Sequence, residues 1–126
     1  MSATVLKKLF EHNNWANFHI IQICAALQDE QLDAEPQSAT KGTIRRTLWH
    51  LVASQQGYLA LLTGTPPRFN WQAAPSFSEL QESARITGGG LLTLVEPGEP
   101  LKNQLQTHDG YLVEPWVVLV QVINHA

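Results

Sequence analysis

Histidine is the residue type in this chain that is best suited to chemistry, because a neutral imidazole can bind a metal or move a proton near neutral pH. His50 is the first candidate, since it lies between Trp49 and Leu51 inside an apolar helical pattern. The alternative is a core histidine that is hydrogen-bonded to a carbonyl, and that is the commoner fate of such a residue. The chain has five histidines: His12, His19, His50, His108 and His125.

The remaining histidines do not form a site by spacing alone. His12 and His19 are seven residues apart, which is about 10 Å along a helix, so they cannot both bind one metal. Each is expected at a surface or boundary position. His108 precedes the Asp109-Gly110 dipeptide, which is typical of a turn, and it is given no role.

The helix that carries His50 is predicted over Thr43 to Gly64. Thr43 can cap its first free N–H groups, and Gly64 followed by two prolines ends it. Its apolar residues recur at spacings of three and four, or their sums, which predicts one buried face. That face comprises Ile44, Leu48, Leu51, Tyr58, Leu61 and Leu62.

A first helix is predicted over Ala3 to Gln28, again from spacings of three and four. Asn13 falls on its apolar stripe and would need hydrogen-bond partners if buried. Cys24 is expected to pack as a small apolar residue. The predicted buried face comprises Leu6, Leu9, Asn13, Ala16, Ile20, Ile23 and Leu27.

A third helix is predicted over Phe77 to Glu96, because Ser76 and Glu79 have the spacing of a capping box. The glycines at 88–90 weaken it, by up to about 1 kcal/mol each relative to alanine. They indicate either a closely packed stretch or a break, and we expect a continuous helix.

The connections before and after the His50 helix are polar or rich in proline. Asp29 to Lys41 is predicted to be a polar connection, and Thr65 to Pro75 a loop. In that loop, Phe69 and Trp71 would either pin it to the body or line the mouth of a pocket.

The last quarter of the chain changes character. Asp109-Gly110 predicts a two-residue turn in a small hairpin between residues 101–107 and 111–113. Pro115 suits the first position of a helix. The segment 116–126 is rich in β-branched residues, however, and periodicity alone leaves a buried strand open.

Composition limits the class of protein. A chain of 126 residues suits one domain, and its net charge of −3 without basic runs argues against nucleic-acid or anionic-membrane binding. One cysteine allows no internal disulfide, which fits a reducing compartment. No apolar run approaches the roughly 20 residues of a membrane span, and the start lacks a signal-peptide core. A cytoplasmic protein is expected.

The segments Leu48-Trp49-His50-Leu51 and Ile123-Asn124-His125-Ala126 together resemble the DinB/YfiT-like family of bacterial metal-binding helical proteins. Three further features agree with this resemblance, which therefore covers essentially the whole chain. They are the Asn13-Asn14-Trp15-Ala16-Asn17 run, the Thr43 helix start and the Ser76–Glu79 helix start.

The resemblance implies an all-α four-helix bundle with up-down-down-up connectivity. In this chain we expect a fourth helix that is shorter than the family's, with the small hairpin before it. It also implies a divalent metal (zinc, nickel or manganese) on a histidine triad, with His50 and His125 matching two positions. The third histidine of the family would lie four residues after His125, where this sequence has already ended. We therefore expect weak metal binding or none.

Two functions remain open. The resemblance implies a metal-dependent thiol S-transferase or hydrolase with a small thiol cosubstrate, in which Asn13 either supports a metal ligand from behind or lines the pocket. The alternative is a non-catalytic helical module that acts through self-association. A homodimer is expected in either case, because a short fourth helix leaves apolar surface on its neighbours.

Overall fold

A computed structural model describes residues 3–37, 42–67, 71–96, 105–107 and 109–125. Within them, the helices are α1 (Ala3–Cys24), α2 (Asp29–Leu32), α3 (Ile44–Thr63), α4 (Phe77–Leu94) and α5 (Pro115–His125), with a hairpin of β1 (Leu105–Gln106) and β2 (Leu112–Val113) before α5. Among these residues, no helix has both the length and the apolar character needed to cross a membrane.

Helix ends follow the local capping signals. Thr43 accepts a hydrogen bond from the N–H of Arg46, and Gly64 ends α3 with a φ of 73°. Ser76 and Glu79 form the reciprocal capping box of α4, and Pro115 is the first residue of α5. The predicted starts are confirmed, as is the unbroken α4 through its glycines. The final segment is a helix and not a strand, and its 11 residues make it shorter than α1, α3 and α4.

Two groups of buried side chains form the core. The first core cluster consists of Phe10, Leu62, Leu91, Val95, Leu105, Val118, Leu119 and Val122. The second core cluster consists of Ile21, Cys24, Leu32, Leu48, Val52, Leu80 and Ala84.

These clusters show the direction of each long helix. Helix α1 runs from the first cluster to the second, because Phe10 lies in the first and Ile21 in the second. Helices α3 and α4 run the opposite way, and α5 begins in the first cluster. The connectivity is therefore up-down-down-up, as expected. Helix α4 packs against both α1 and α3, and α5 packs mainly on α3.

The predicted buried face of α1 is wrong for three of its seven members. Leu9, Ile20 and Ile23 are exposed, whereas Phe10, Asn17 and Ile21 are buried. The buried face lies about one residue further round the helix than predicted. Periodicity misplaces it because the true inner face is partly polar and the outer face is partly apolar. Hydrophobic periodicity therefore placed the buried stripe too far toward the outer side of the helix.

Two predictions for the region before α3 need correction. Helix α1 ends at Cys24 instead of Gln28, and the polar connection contains the short α2, whose Leu32 is buried. Arg45 holds α2 against α3 by bonding Asp29 and Asp33, both at 2.8 Å.

The hairpin turn is wider than the predicted Asp-Gly pair. The N–H of Thr107 donates to the carbonyl of Tyr111, and Gly110 has a φ of 92°. The turn therefore closes between Thr107 and Tyr111. Residues 101–104 of the predicted first strand lie outside the described residues.

A buried polar layer separates the two core clusters. The side-chain carbonyl of Gln55 accepts hydrogen bonds from the amides of Asn13 at 3.3 Å and Asn17 at 3.2 Å. The amide of Gln55 donates to the Thr87 hydroxyl at 2.8 Å, which in turn donates to the carbonyl of Ser83. This layer fixes the relative heights of α1, α3 and α4, and it supplies the partners that a buried Asn13 requires.

Replacing Gln55 by leucine is expected to lower the free energy of unfolding by about 1–3 kcal/mol, because the Asn13 and Asn17 amides lose their acceptor while buried. Ser83→Ala is the matched control. Ser83 is fully buried, and no group among the described residues hydrogen-bonds to its Oγ. Urea denaturation measures both variants, and an equal loss in the two would contradict a structural role for the layer.

The glycines of α4 differ in what they contact. The amide of Asn14 donates to the carbonyl of Gly88 at 2.9 Å, and a Cβ at Gly88 would lie 2.7 Å from Asn14 Oδ1. A Cβ at Gly89 would meet nothing within 4 Å. The Gly88 position is therefore a close contact between α1 and α4.

Gly89→Ala is expected to raise the free energy of unfolding by up to about 1 kcal/mol through helix propensity. Gly88→Ala should lower it by about 1 kcal/mol or more, because Asn14 must give up its hydrogen bond. Thermal denaturation of the pair tests this. Stabilisation by both alanines would show that the α1–α4 contact is not tight.

Candidate metal centre

The two histidines singled out by the sequence meet between α3 and α5. His50 Nε2 and His125 Nε2 are 2.8 Å apart, although the residues are 75 positions apart in the chain. Their ring centroids are 4.8 Å apart, with the planes tilted by 59°. Both side chains are half-buried, so the pair is reachable from solvent.

Each histidine is placed by the helix that carries it. In α3, His50 lies between Leu48 and Val52, which are anchored in the second core cluster. In α5, Val122 is anchored in the first core cluster, one turn before His125. The pair therefore forms where α5 leaves the first cluster and comes alongside the middle of α3.

Tyr58 and Gln55 extend the site along α3. The Tyr58 ring meets the His125 ring edge-on, with centroids 5.9 Å apart. A small cavity beside His125 is lined by Leu51, Ser54, Gln55, Tyr58 and Val122. Gln55 thus belongs both to the buried polar layer and to the wall next to the histidines. Within the described part of the chain, the hydrogen bond to Gln55 is what joins Asn13 to this wall.

An open groove of about 590 Å³ continues from this wall to the hairpin. Ser54 and Tyr58 line both the groove and the small cavity by His125. On the hairpin side, the hydroxyl of Thr107 donates to the carboxylate of Asp109. The groove therefore leads from solvent to the neighbourhood of the histidine pair. Its lining residues are Ser54, Gly57, Tyr58, Leu61, Thr107 and Asp109.

The donor set fits two positions of a metal site. In tetrahedral zinc with Zn–N bonds of about 2.0–2.1 Å, two ligand nitrogens are about 3.3 Å apart. The two Nε2 atoms would need to separate by about half an ångström, which small rotations of the rings can supply. Among the described residues, no group of three His, Cys, Asp or Glu side chains could hold a metal ion.

At 2.8 Å the two imidazoles can also hydrogen-bond directly, with one ring donating its N–H and the other accepting. In that state the pair fastens α5 to α3 without an ion. Metal binding would have to replace this hydrogen bond, because both Nε2 atoms must then be free of protons.

The other reactive side chains lie away from the pair. His12 and His19 are exposed on α1, one on each side of Trp15, as their spacing predicted. His108 lies outside the described residues. Cys24 is buried in the second core cluster, and burial raises the pKa of its thiol. It is therefore a packing residue, as predicted, and a poor nucleophile.

Trp71 holds the loop before α4, as one of the two readings of that loop predicted. Its indole N–H donates to Glu79 at 3.1 Å, and its ring packs against the second core cluster. Phe69 lies outside the described residues.

Sequence reasoning from spacing alone missed one part of the site, which is Gln55 with its partners. The available signal was that Gln55, like Asn13, is an uncharged polar residue inside an apolar helical pattern. Only Asn13 was recognised from that signal. The role of His125 as the partner of His50 was predicted from the family resemblance and not from spacing.

Of three comparisons with known proteins, the one with family models finds a match. No curated protein and no solved structure matches the chain. The model of the DinB family matches residues 1–126, the whole sequence. A helical bundle with a short hairpin before its last helix fits that match, and the chain belongs to the DinB family.

Proposed function

We propose that this protein binds a divalent metal through His50 and His125, and that the metal serves a thiol-dependent transferase or hydrolase reaction. The observation that supports it is the 2.8 Å approach of two Nε2 atoms from different helices, with an open groove beside them. When bound, the metal would lower the pKa of a coordinated thiol or water near neutral pH. Zinc, nickel and manganese are the ions that the family suggests.

The chain's own residues would bind and orient the substrate. Tyr58 and Leu61 offer apolar surface in the groove, and Ser54 offers a hydroxyl on the side nearest His125. This combination suits a ligand with an apolar body and a polar end directed at the histidines. The substrate thiol itself would come from a small cosubstrate, because Cys24 is buried.

Two imidazoles are one fewer than the three protein ligands usual for a catalytic zinc. We therefore propose that binding by residues 1–126 is weak, and that water or substrate would occupy the remaining positions. The chain has a single cysteine, which fits a reducing compartment such as the cytoplasm. We therefore propose a cytoplasmic location.

The direct hydrogen bond between the histidines supports a second candidate, a non-catalytic module in which the pair serves only to fasten α5. The two candidates differ in what added metal does. In the first, zinc displaces the hydrogen bond; in the second, it leaves the pair unchanged.

The test is a zinc titration of the 126-residue protein, followed by NMR of the imidazole nitrogens and by calorimetry. The expected result is weak, saturable binding that shifts the His50 and His125 resonances and is lost in His50→Ala and in His125→Ala. His12→Ala and His19→Ala are the matched controls, because both residues are exposed on α1. Binding indifferent to His50→Ala would overturn the proposed site.

A chain extended to residue 129 with histidine at that position provides a gain-of-function test. Residues 125 and 129 would share one helix face, so the new imidazole would add a third ligand and tighten zinc binding. Alanine at 129 is the control. Equal affinities for the two extended chains would contradict the proposed geometry.

The proposed reaction is tested separately, by assaying conjugation of glutathione, bacillithiol and mycothiol with and without added metal. Metal-dependent conjugation that Tyr58→Ala weakens would support the groove as the substrate site. No activity with any thiol, together with no zinc response of the histidines, would favour the non-catalytic module.

A further inference from the structure

The groove beside the histidine pair has different chemistry at its two ends. Its inner end adjoins the small cavity by His125, because Ser54 and Tyr58 line both. Its outer end, at the hairpin, is lined by Thr107 and Asp109. Among the described residues that line the groove, Asp109 carries the one formal charge. The groove therefore leads from the two imidazoles to a carboxylate.

The carboxylate of Asp109 is held in place by the turn of the hairpin. The Thr107 hydroxyl donates to it, and the same hydroxyl oxygen accepts from the N–H of Tyr111 at 3.0 Å. The backbone of Thr107 is also bonded twice across the turn, to the carbonyl of Tyr111 and to the N–H of Gly110. A carboxylate offers about four lone-pair sites, so it can accept from this hydroxyl and from a ligand together. A group positioned in advance costs less entropy to bind.

The middle of the groove suits the body of an organic cation. Tyr58 and Leu61 offer apolar surface, and the negative face of an aromatic ring attracts an ammonium group. The described lining contains no Lys or Arg to oppose a positive charge. The volume of about 590 Å³ lies within the range of small-molecule sites, about 300–1,000 Å³. Both the aromatic ring and the carboxylate therefore favour a small cationic ligand.

We propose that the substrate of this site carries an ammonium group, and that Asp109 is the residue that selects it. This rests on the function proposed above, because the same groove is taken as the substrate site. The ligand then has three parts: a group directed at the histidines, an apolar body against Tyr58 and Leu61, and a positive charge beside Asp109. A carboxylate at that outer end is disfavoured by repulsion.

The test compares three probes that share a phenyl body and differ in charge: 2-phenylethylamine, 2-phenylethanol and 3-phenylpropionate. Each is titrated into the metal-free protein and followed by amide NMR of Ser54, Gly57 and Thr107. The amine should bind about two- to fivefold more tightly than the alcohol, because charge interactions at an exposed carboxylate are modest. The carboxylate should bind most weakly, and the preference should fall as salt is raised.

Asp109→Asn removes the charge but keeps an oxygen that can accept from Thr107, so the turn is retained. It should abolish the preference for the amine over the alcohol and leave the affinity for the alcohol unchanged. Glu114→Gln is the matched control, because Glu114 is an exposed carboxylate just after the hairpin that does not line the groove. Equal binding of amine and alcohol, failure of all three probes to bind in the groove, or equal effects of the two variants would overturn the proposal.

These measurements use no metal, which separates this proposal from the one on which it rests. An amine preference that depends on Asp109, in a protein whose histidines do not respond to zinc, would support selection of cations by the groove and contradict the metal-dependent function. A zinc response of His50 and His125 without any amine preference would support the metal site and overturn the role of Asp109.

Discussion

The side chain of Gln55 organises the bundle. One carbonyl oxygen accepts from two asparagines of α1, and one amide donates to a threonine of α4, so three helices are tied at a single height. Apolar packing alone would tolerate sliding between helices, because many side chains fit similar spaces. Hydrogen bonds in the core do not tolerate it, since each displaced group would be buried without a partner.

The histidine pair depends on this registration. Gln55 is only five residues beyond His50, and it also lines the cavity next to His125. Fixing the height of α3 therefore fixes where His50 meets α5. Helix α5 itself is held by apolar contacts of Val118, Leu119 and Val122 in the first core cluster. The site thus combines a helix placed by hydrogen bonds with one placed by hydrophobic packing.

Local signals predicted the helix starts well, because Thr43, Ser76 with Glu79, and Pro115 act on the backbone within one turn. The inner face of α1 could not be read from periodicity, since Asn13 and Asn17 are buried while Leu9 and Ile23 are exposed. Polarity ceases to indicate exposure wherever partners from other helices satisfy the polar group. The meeting of His50 with His125 depends on tertiary packing across 75 residues, which no local pattern encodes.

The same long separations shape how the chain can fold. The hydrogen bond of Asn14 to Gly88 joins residues 74 apart, and that of Asn13 to Gln55 joins residues 42 apart. During synthesis, α1 therefore leaves the ribosome well before α4 is available to pack against it. Its inner face carries asparagines as well as apolar groups, which makes the waiting helix more soluble than a fully apolar one. Closing such long loops slows the search for the native state, so this small helical protein should fold more slowly than bundles built from neighbouring hairpins.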